Sequence, residues 1–168
     1  LEFNSLLKKI GGTESAKSDY EYKPLKIDRH IITTREDIGE LKNSIGRNAF
    51  IVLKVFGDGN HFEKPVLMGA SILSGQEYYY VPLDSKEMTE ALVGALNDMS
   101  PEIIGHDLKK DYYMLKNHGL LNCKTGFDTA IAQYVLDSAR SNYSISTLSE
   151  EYFREPIQEE DAFVVKGR

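Results

Sequence analysis

Apolar residues recur at helical spacing in some stretches of the chain and gather into short β-prone runs in others, and the two patterns assign the elements. Phe3, Leu6, Leu7 and Ile10 fall three and four apart, the stub of a helix over residues 1–10. Residues 11–24 carry Gly11, Gly12, Ser15, Ser18 and Pro24, a linker composition. Ile27 to Thr33 reads as a short strand, and Thr34 with Asp37 three residues on opens a helix through about Ser44. Phe50 to Gly57, Pro65 to Leu73 and Glu77 to Val81 are β-prone runs, the last two joined by the turn residues Ser74-Gly75-Gln76. They form an antiparallel three-stranded meander. Lys86 to Met99 then carries apolar residues at 88, 91, 92, 95, 96 and 99, the stripe of a helix. Ile103-Ile104-Gly105 is short enough for a buried strand, and Asp107 caps a helix through about His118. Phe127 ends a further strand, Asp128 caps a helix through about Asp137, and Ser144 to Phe153 forms one more. A meander followed by alternating helix and strand predicts an α/β fold: a mixed sheet with helices packed on it.

Composition sets limits on this picture. The chain has 168 residues, 41% apolar and 27% charged, enough for one domain with its own core. No apolar run reaches the length that spans a bilayer, so no membrane partner is expected. The single cysteine, Cys123, allows no intrachain disulfide and fits a reducing cytoplasm; it reads as a small packed residue rather than a nucleophile. The net charge of −6 argues against a tight grip on nucleic acid by this chain alone, because lysine and arginine supply most non-specific affinity for phosphates. A start at Leu1-Glu2-Phe3, without Met or a signal layout, reads as a piece of a longer protein.

Four stretches carry a family resemblance, in order from residue 1 to 167. Leu1-Glu2-Phe3-Asn4-Ser5-Leu6 resembles the end of a 5′-nuclease domain, and Ile104 to Asp111 resembles an exonuclease motif written Gly-x-Asn-x-Lys-x-Asp. Gly119 through Phe127-Asp128-Thr129 and Val164-Val165-Lys166-Gly167 resemble the segments that follow. The family they resemble is the 3′–5′ exonuclease (proofreading) domain of bacterial, family A, DNA polymerase I. The resemblance implies a ribonuclease-H-like fold. It also implies a division into a 5′-nuclease tail and linker at 1–24 and an exonuclease-like domain at 25–168, incomplete at its C-terminal end. It implies a parent enzyme that copies DNA with dNTPs and Mg²⁺, DNA held through that parent, contacts with the absent polymerase domain, and a monomer.

The family's nuclease holds two metal ions with carboxylates, and hard cations require oxygen ligands that an aliphatic side chain cannot supply. The resemblance places an Asp and a Glu two residues apart on the first strand. Here those positions are Leu53 and Val55. Asp111 matches the second-motif ligand and, without partner carboxylates, reads as a solvated relic. Asp58 has the opposite parity to 53 and 55 and sits in an apparent Gly57-Asp58-Gly59 turn, and Glu63 is further off. Asp107, where the family has Asn, and Asp128 read as helix caps. The third motif should be Tyr-x-x-x-Asp on a helix. Tyr80 and Asp84 have that spacing, but Pro82 between them excludes a helix, and the true motif would lie beyond Arg168. His30, His61, His106 and His118 show no metal or triad spacing, and Tyr78-Tyr79-Tyr80 suits strand packing better than base stacking. The expectation is a vestigial exonuclease domain with no metal or cofactor of its own. Two alternatives stand beside it: an active exonuclease with rearranged ligands, and a free-standing ribonuclease-H-like binding module.

Overall fold

The computed structural model describes residues 25–58 and 65–158. The predicted helix stub and linker at 1–24, His61, Glu63 and the segment Val164–Gly167 lie outside the described residues. Six strands form one sheet: β1 (Asp28–Ile31), β2 (Phe50–Asp58), β3 (Val66–Ser74), β4 (Glu77–Pro82), β5 (Glu102–Gly105) and β6 (Lys124–Asp128). The spatial order is β1-β4-β3-β2-β5-β6. The meander β2-β3-β4 is antiparallel, while β1 on β4, β5 on β2 and β6 on β5 are parallel. The helices are α1 (Ile38–Arg47), α2 (Lys86–Met99), α3 (Leu108–Lys116), α4 (Thr129–Leu136) and α5 (Ile145–Phe153). The expected mixed sheet with helices on it is what the chain forms.

Register decides which side chains share a face. Leu53 lies opposite Ile72 and Val55 opposite Ala70, and these continue to Tyr79 and Val81 on β4. All six are buried, so this face of the sheet is the core. Leu41 and Ile45 of α1 and Leu92 and Leu96 of α2 join the same cluster. The β3–β4 hairpin turns on two residues, with φ +64° at Gly75, the left-handed value such turns require at their first position. Glu77 ties α1 to the sheet: its Oε2 accepts from Ser44 Oγ at 2.7 Å, Tyr79 Oη at 3.1 Å and Arg47 Nη2 at 3.2 Å.

Several boundaries differ from expectation. Thr34 and Asp37 do form a reciprocal box, Asp37 N–H to Thr34 Oγ1 at 3.3 Å and Thr34 N–H to Asp37 Oδ2 at 3.0 Å. The box organises a turn that precedes α1, and the helix itself runs from Ile38 to Arg47, past Ser44. Asp58 is not in a turn. It ends β2, paired with Val66, because Met68 on β3 bulges and lets the ladder run two residues past Phe56. The tyrosine run packs as expected: Tyr79 is buried and stacks on His30 at 4.9 Å, and Tyr78 Oη lies 2.8 Å from Ser71 Oγ.

Candidate functional site

β5 stops at Gly105, whereas β2 continues to Asp58, and their last pair is Val52 with Ile104. Past that pair the edge of β2 is open at the carboxyl ends of the parallel strands, the place where α/β sheets build their sites. α3 closes this opening. Gly105 permits the approach, since a Cβ there would sit 2.7 Å from Leu108 Cδ2 and 3.0 Å from the Leu53 carbonyl oxygen. Leu108, Asp111 and Leu115, three and four residues apart, form the helix face turned inward.

Asp111 is therefore fully buried, contrary to the expectation of a solvated residue. Its Oδ1 accepts the Val55 N–H at 3.3 Å and lies 3.4 Å from Lys54 Nζ. The carboxylate thus serves a backbone group of β2 and an ammonium reaching in from β2. The physical reason is its place in an apolar stripe, which fixes its direction whatever its charge. That stripe was present in the sequence and was the signal that Asp111 is internal. Leu53 and Val55 are buried on the same side of β2, as the two-residue spacing required. The structure thus brings together all three predicted positions, two of them as aliphatic core. Asp58 ends β2 exposed and on the opposite parity. Among the described residues no group of three or more His, Cys, Asp or Glu side chains is placed to hold a metal ion.

The neighbouring polar groups are structural. Asp107 does not cap α3; its own backbone is left-handed, φ 54°, and its side chain makes no capping bond. The cap comes from across the sheet. Asp128 Oδ2 accepts the Leu108 N–H at 2.8 Å and Oδ1 the Asp107 N–H at 3.2 Å. The same Oδ1 accepts from Ala130 N–H at 2.9 Å and Ile131 N–H at 3.3 Å, so one carboxylate caps both α3 and α4. His106 Nδ1 lies 2.8 Å from Thr129 Oγ1, and His118 Nε2 lies 2.9 Å from the Pro65 carbonyl oxygen. Burial pushes the half-buried Cys123 thiol up to about 11, far from a reactive thiolate. Tyr80 lies in β4, with Asp84 beyond its end, so the pair shares no helix.

A second feature is apolar. A trough of about 710 Å³ runs between α4 and α5, lined by Phe127, Leu136, Leu148, Tyr152 and Phe153 among others. Among the described residues no helix is long and apolar enough to cross a membrane.

Comparison with known proteins bears on the site. The sequence pattern of the family described as "DNA polymerase I, ribonuclease H-like domain" matches residues 51–168. DNA polymerase I of Borreliella burgdorferi is 29% identical over 147 residues, which cover 79% of this chain and 16% of that protein. DNA polymerase I of Bacillus subtilis is 24% identical over 168 residues, covering 99% of this chain and 18% of that protein. The chain thus spans about a sixth of the length of the curated relatives it matches. A solved structure, the POL domain of Pol1 from M. smegmatis complexed with DNA primer-template and dNTP, shares the fold. Its TM-score is 0.64 at 16% identity over 76% of this chain and 23% of that one.

Proposed function

Because this chain belongs to the DNA polymerase I ribonuclease H-like domain family, we propose that it is a 3′–5′ exonuclease domain whose nuclease centre has been lost. In this reading it persists as a structural module of a DNA polymerase I. The parent synthesises DNA from dNTPs with Mg²⁺ in replication and repair and holds the DNA. This domain contacts the polymerase portion, in a monomeric cytoplasmic enzyme. Residues 1–24 are the end of a 5′-nuclease domain and its linker, and 25–168 are the exonuclease-like domain without its last motif.

The observation that carries the reading is the state of positions 53, 55 and 111. A two-ion phosphodiesterase needs clustered oxygen ligands around both metals. Here two of the three positions are buried aliphatics, and the third is a buried carboxylate bonded to the Val55 amide and beside the Lys54 ammonium. These residues do not fit a two-ion centre. Filling the place with Leu and Val also removes the mutual repulsion that clustered acids suffer without ions. Asp58, exposed at the end of β2, does not replace them.

Titration of the chain with Mn²⁺ by calorimetry tests this. The expected result is no specific binding from micromolar to low-millimolar metal, together with no degradation of single-stranded DNA. A saturable two-ion isotherm, or metal-dependent removal of 3′ nucleotides, overturns it and restores the reading as a working exonuclease with rearranged ligands.

A further inference from the structure

The helix α4 carries its apolar side chains on the wrong side for a surface helix. Its buried residue is Gln133, whose Oε1 accepts from Tyr152 Oη of α5 at 2.7 Å, while Leu136 is 75% exposed. Leu136 lines the trough of about 710 Å³ together with Phe127, Tyr152 and Phe153, each about half exposed. At roughly 150–250 Å² for a large aromatic side chain, these three alone show roughly 200–400 Å² of apolar surface. That is the size at which an open patch on a protein ordinarily serves an interaction. Ile157, four residues past the end of α5, lines the trough too, and the described residues end beside it at Gln158.

We propose that the α4–α5 trough is the seat of this chain's own segment Ala162-Phe163-Val164-Val165, which folds back from Ile157 as an internal strap. Three observations select this occupant. The first is continuity: residues 159–168 leave the described structure from the rim of the trough itself. The second is composition. Three acids, Glu159, Glu160 and Asp161, come first, and then four apolar residues in a row, which no other segment outside the described residues contains. The third is reach. Six residues separate Ile157 from Phe163, a span of up to about 20 Å. Helices α4 and α5, with eight and nine residues, are only about 12–14 Å long, so Phe163 can meet any part of the trough. The apolar stripe of residues 3–10 is worse placed. It leads into β1, the sheet edge opposite β6, about 24 Å away at five strand spacings. A second copy is disfavoured by mass action, since a short tether holds the segment at about millimolar effective concentration.

The chain contains no tryptophan, so Phe163→Trp in the full 168 residues creates a single fluorescent reporter of the seat. Glu40→Trp, exposed on α1, supplies the solvent-exposed reference. The expected result is a blue-shifted emission at position 163 and acrylamide quenching about threefold or more weaker than at position 40, because a seated ring meets the quencher only when the segment opens. Adding Leu136→Asp places an acid in the trough and should bring quenching at 163 up to the reference. Ile145→Asp should do the same without disturbing α5, since an acid suits the first residue of a helix. Val135→Asp, on α4 but not among the trough residues, should leave the protection unchanged. Quenching at 163 equal to that at 40 overturns the proposal. So does protection that survives both Leu136→Asp and Ile145→Asp, which would seat the segment elsewhere. Protection that grows with protein concentration, with a dimer by light scattering, overturns it in favour of a second copy. The outcome is independent of the nuclease centre, whose state the metal titration reads separately.

Discussion

Replacing Asp128 by Ala should loosen two helices at once. Each α-helix begins with backbone N–H groups that have no partner inside the helix, and an N-cap side chain typically contributes about 1 kcal/mol by accepting from them. Asp128 accepts four such bonds, two at the start of α3 and two at the start of α4, and it is nearly buried, so water cannot freely take its place. Two caps at roughly 0.5–2 kcal/mol each, with the penalty for leaving enclosed donors unpaired, put the loss for Asp128→Ala at about 2–4 kcal/mol. For a chain of this size that corresponds to a fall in Tm of about 5–15 °C. Asp128→Asn should cost roughly half as much. It keeps an acceptor at Oδ1, which serves Asp107, Ala130 and Ile131, and turns its amide donors toward the Leu108 N–H. Asp107→Asn should be nearly neutral, since Asp107 makes no capping bond and Asn tolerates its left-handed backbone. Urea unfolding followed by circular dichroism gives the free energies. Amide hydrogen exchange shows where they arise: in the Ala variant the amides of Leu108, Ala130 and Ile131 should lose protection together. An Asp128→Ala protein within about 0.5 kcal/mol of wild type, below the usual range for a single cap, would refute the double-cap account. So would one in which only the α4 amides exchange faster.

Two further outcomes follow from the same geometry. Hydrogen bonds from Ser44 and then Tyr79 hold the Glu77 carboxyl below the usual carboxylate range, so its contribution to stability is complete above the unfolded-state value and disappears as pH falls through the folded-state one. Glu77→Gln should therefore show a shallower loss of stability between about pH 5 and pH 3 than wild type in urea melts, and parallel curves would exclude this role. Leu53→Asp with Val55→Glu places two acids in the core beside Asp111 and removes two buried aliphatics, each costing roughly 1–4 kcal/mol. The double variant should melt well below wild type, and Mn²⁺ should return part of the loss by binding the folded form alone. A variant as stable as wild type and indifferent to Mn²⁺ would count against the proposal that positions 53 and 55 stand where a metal centre has been lost.

Local order in this protein was legible in the chain itself. The β-prone runs marked β2, β3 and β4, the stripe at 88 to 99 marked α2, and Gly75 marked the tight turn, because these signals depend on residues close in sequence. The family followed from strings around Gly105 and Phe127, and with it the expectation that Leu53 and Val55 would lie on one buried face. What only the tertiary structure decided was how distant segments supply one another. Asp107 and Asp128 are equally good caps as isolated residues. Asp128 caps both helices because β6 lies beside β5, which brings its carboxylate to the start of α3, twenty residues earlier. Asp111 looked solvated as a lone acid, yet the docking of α3 on the open edge of β2 buries it against the Val55 amide and Lys54. The outward turn of Val135 and Leu136 was equally hidden, because an apolar octapeptide reads as core until the sheet and α5 fix which of its sides is covered.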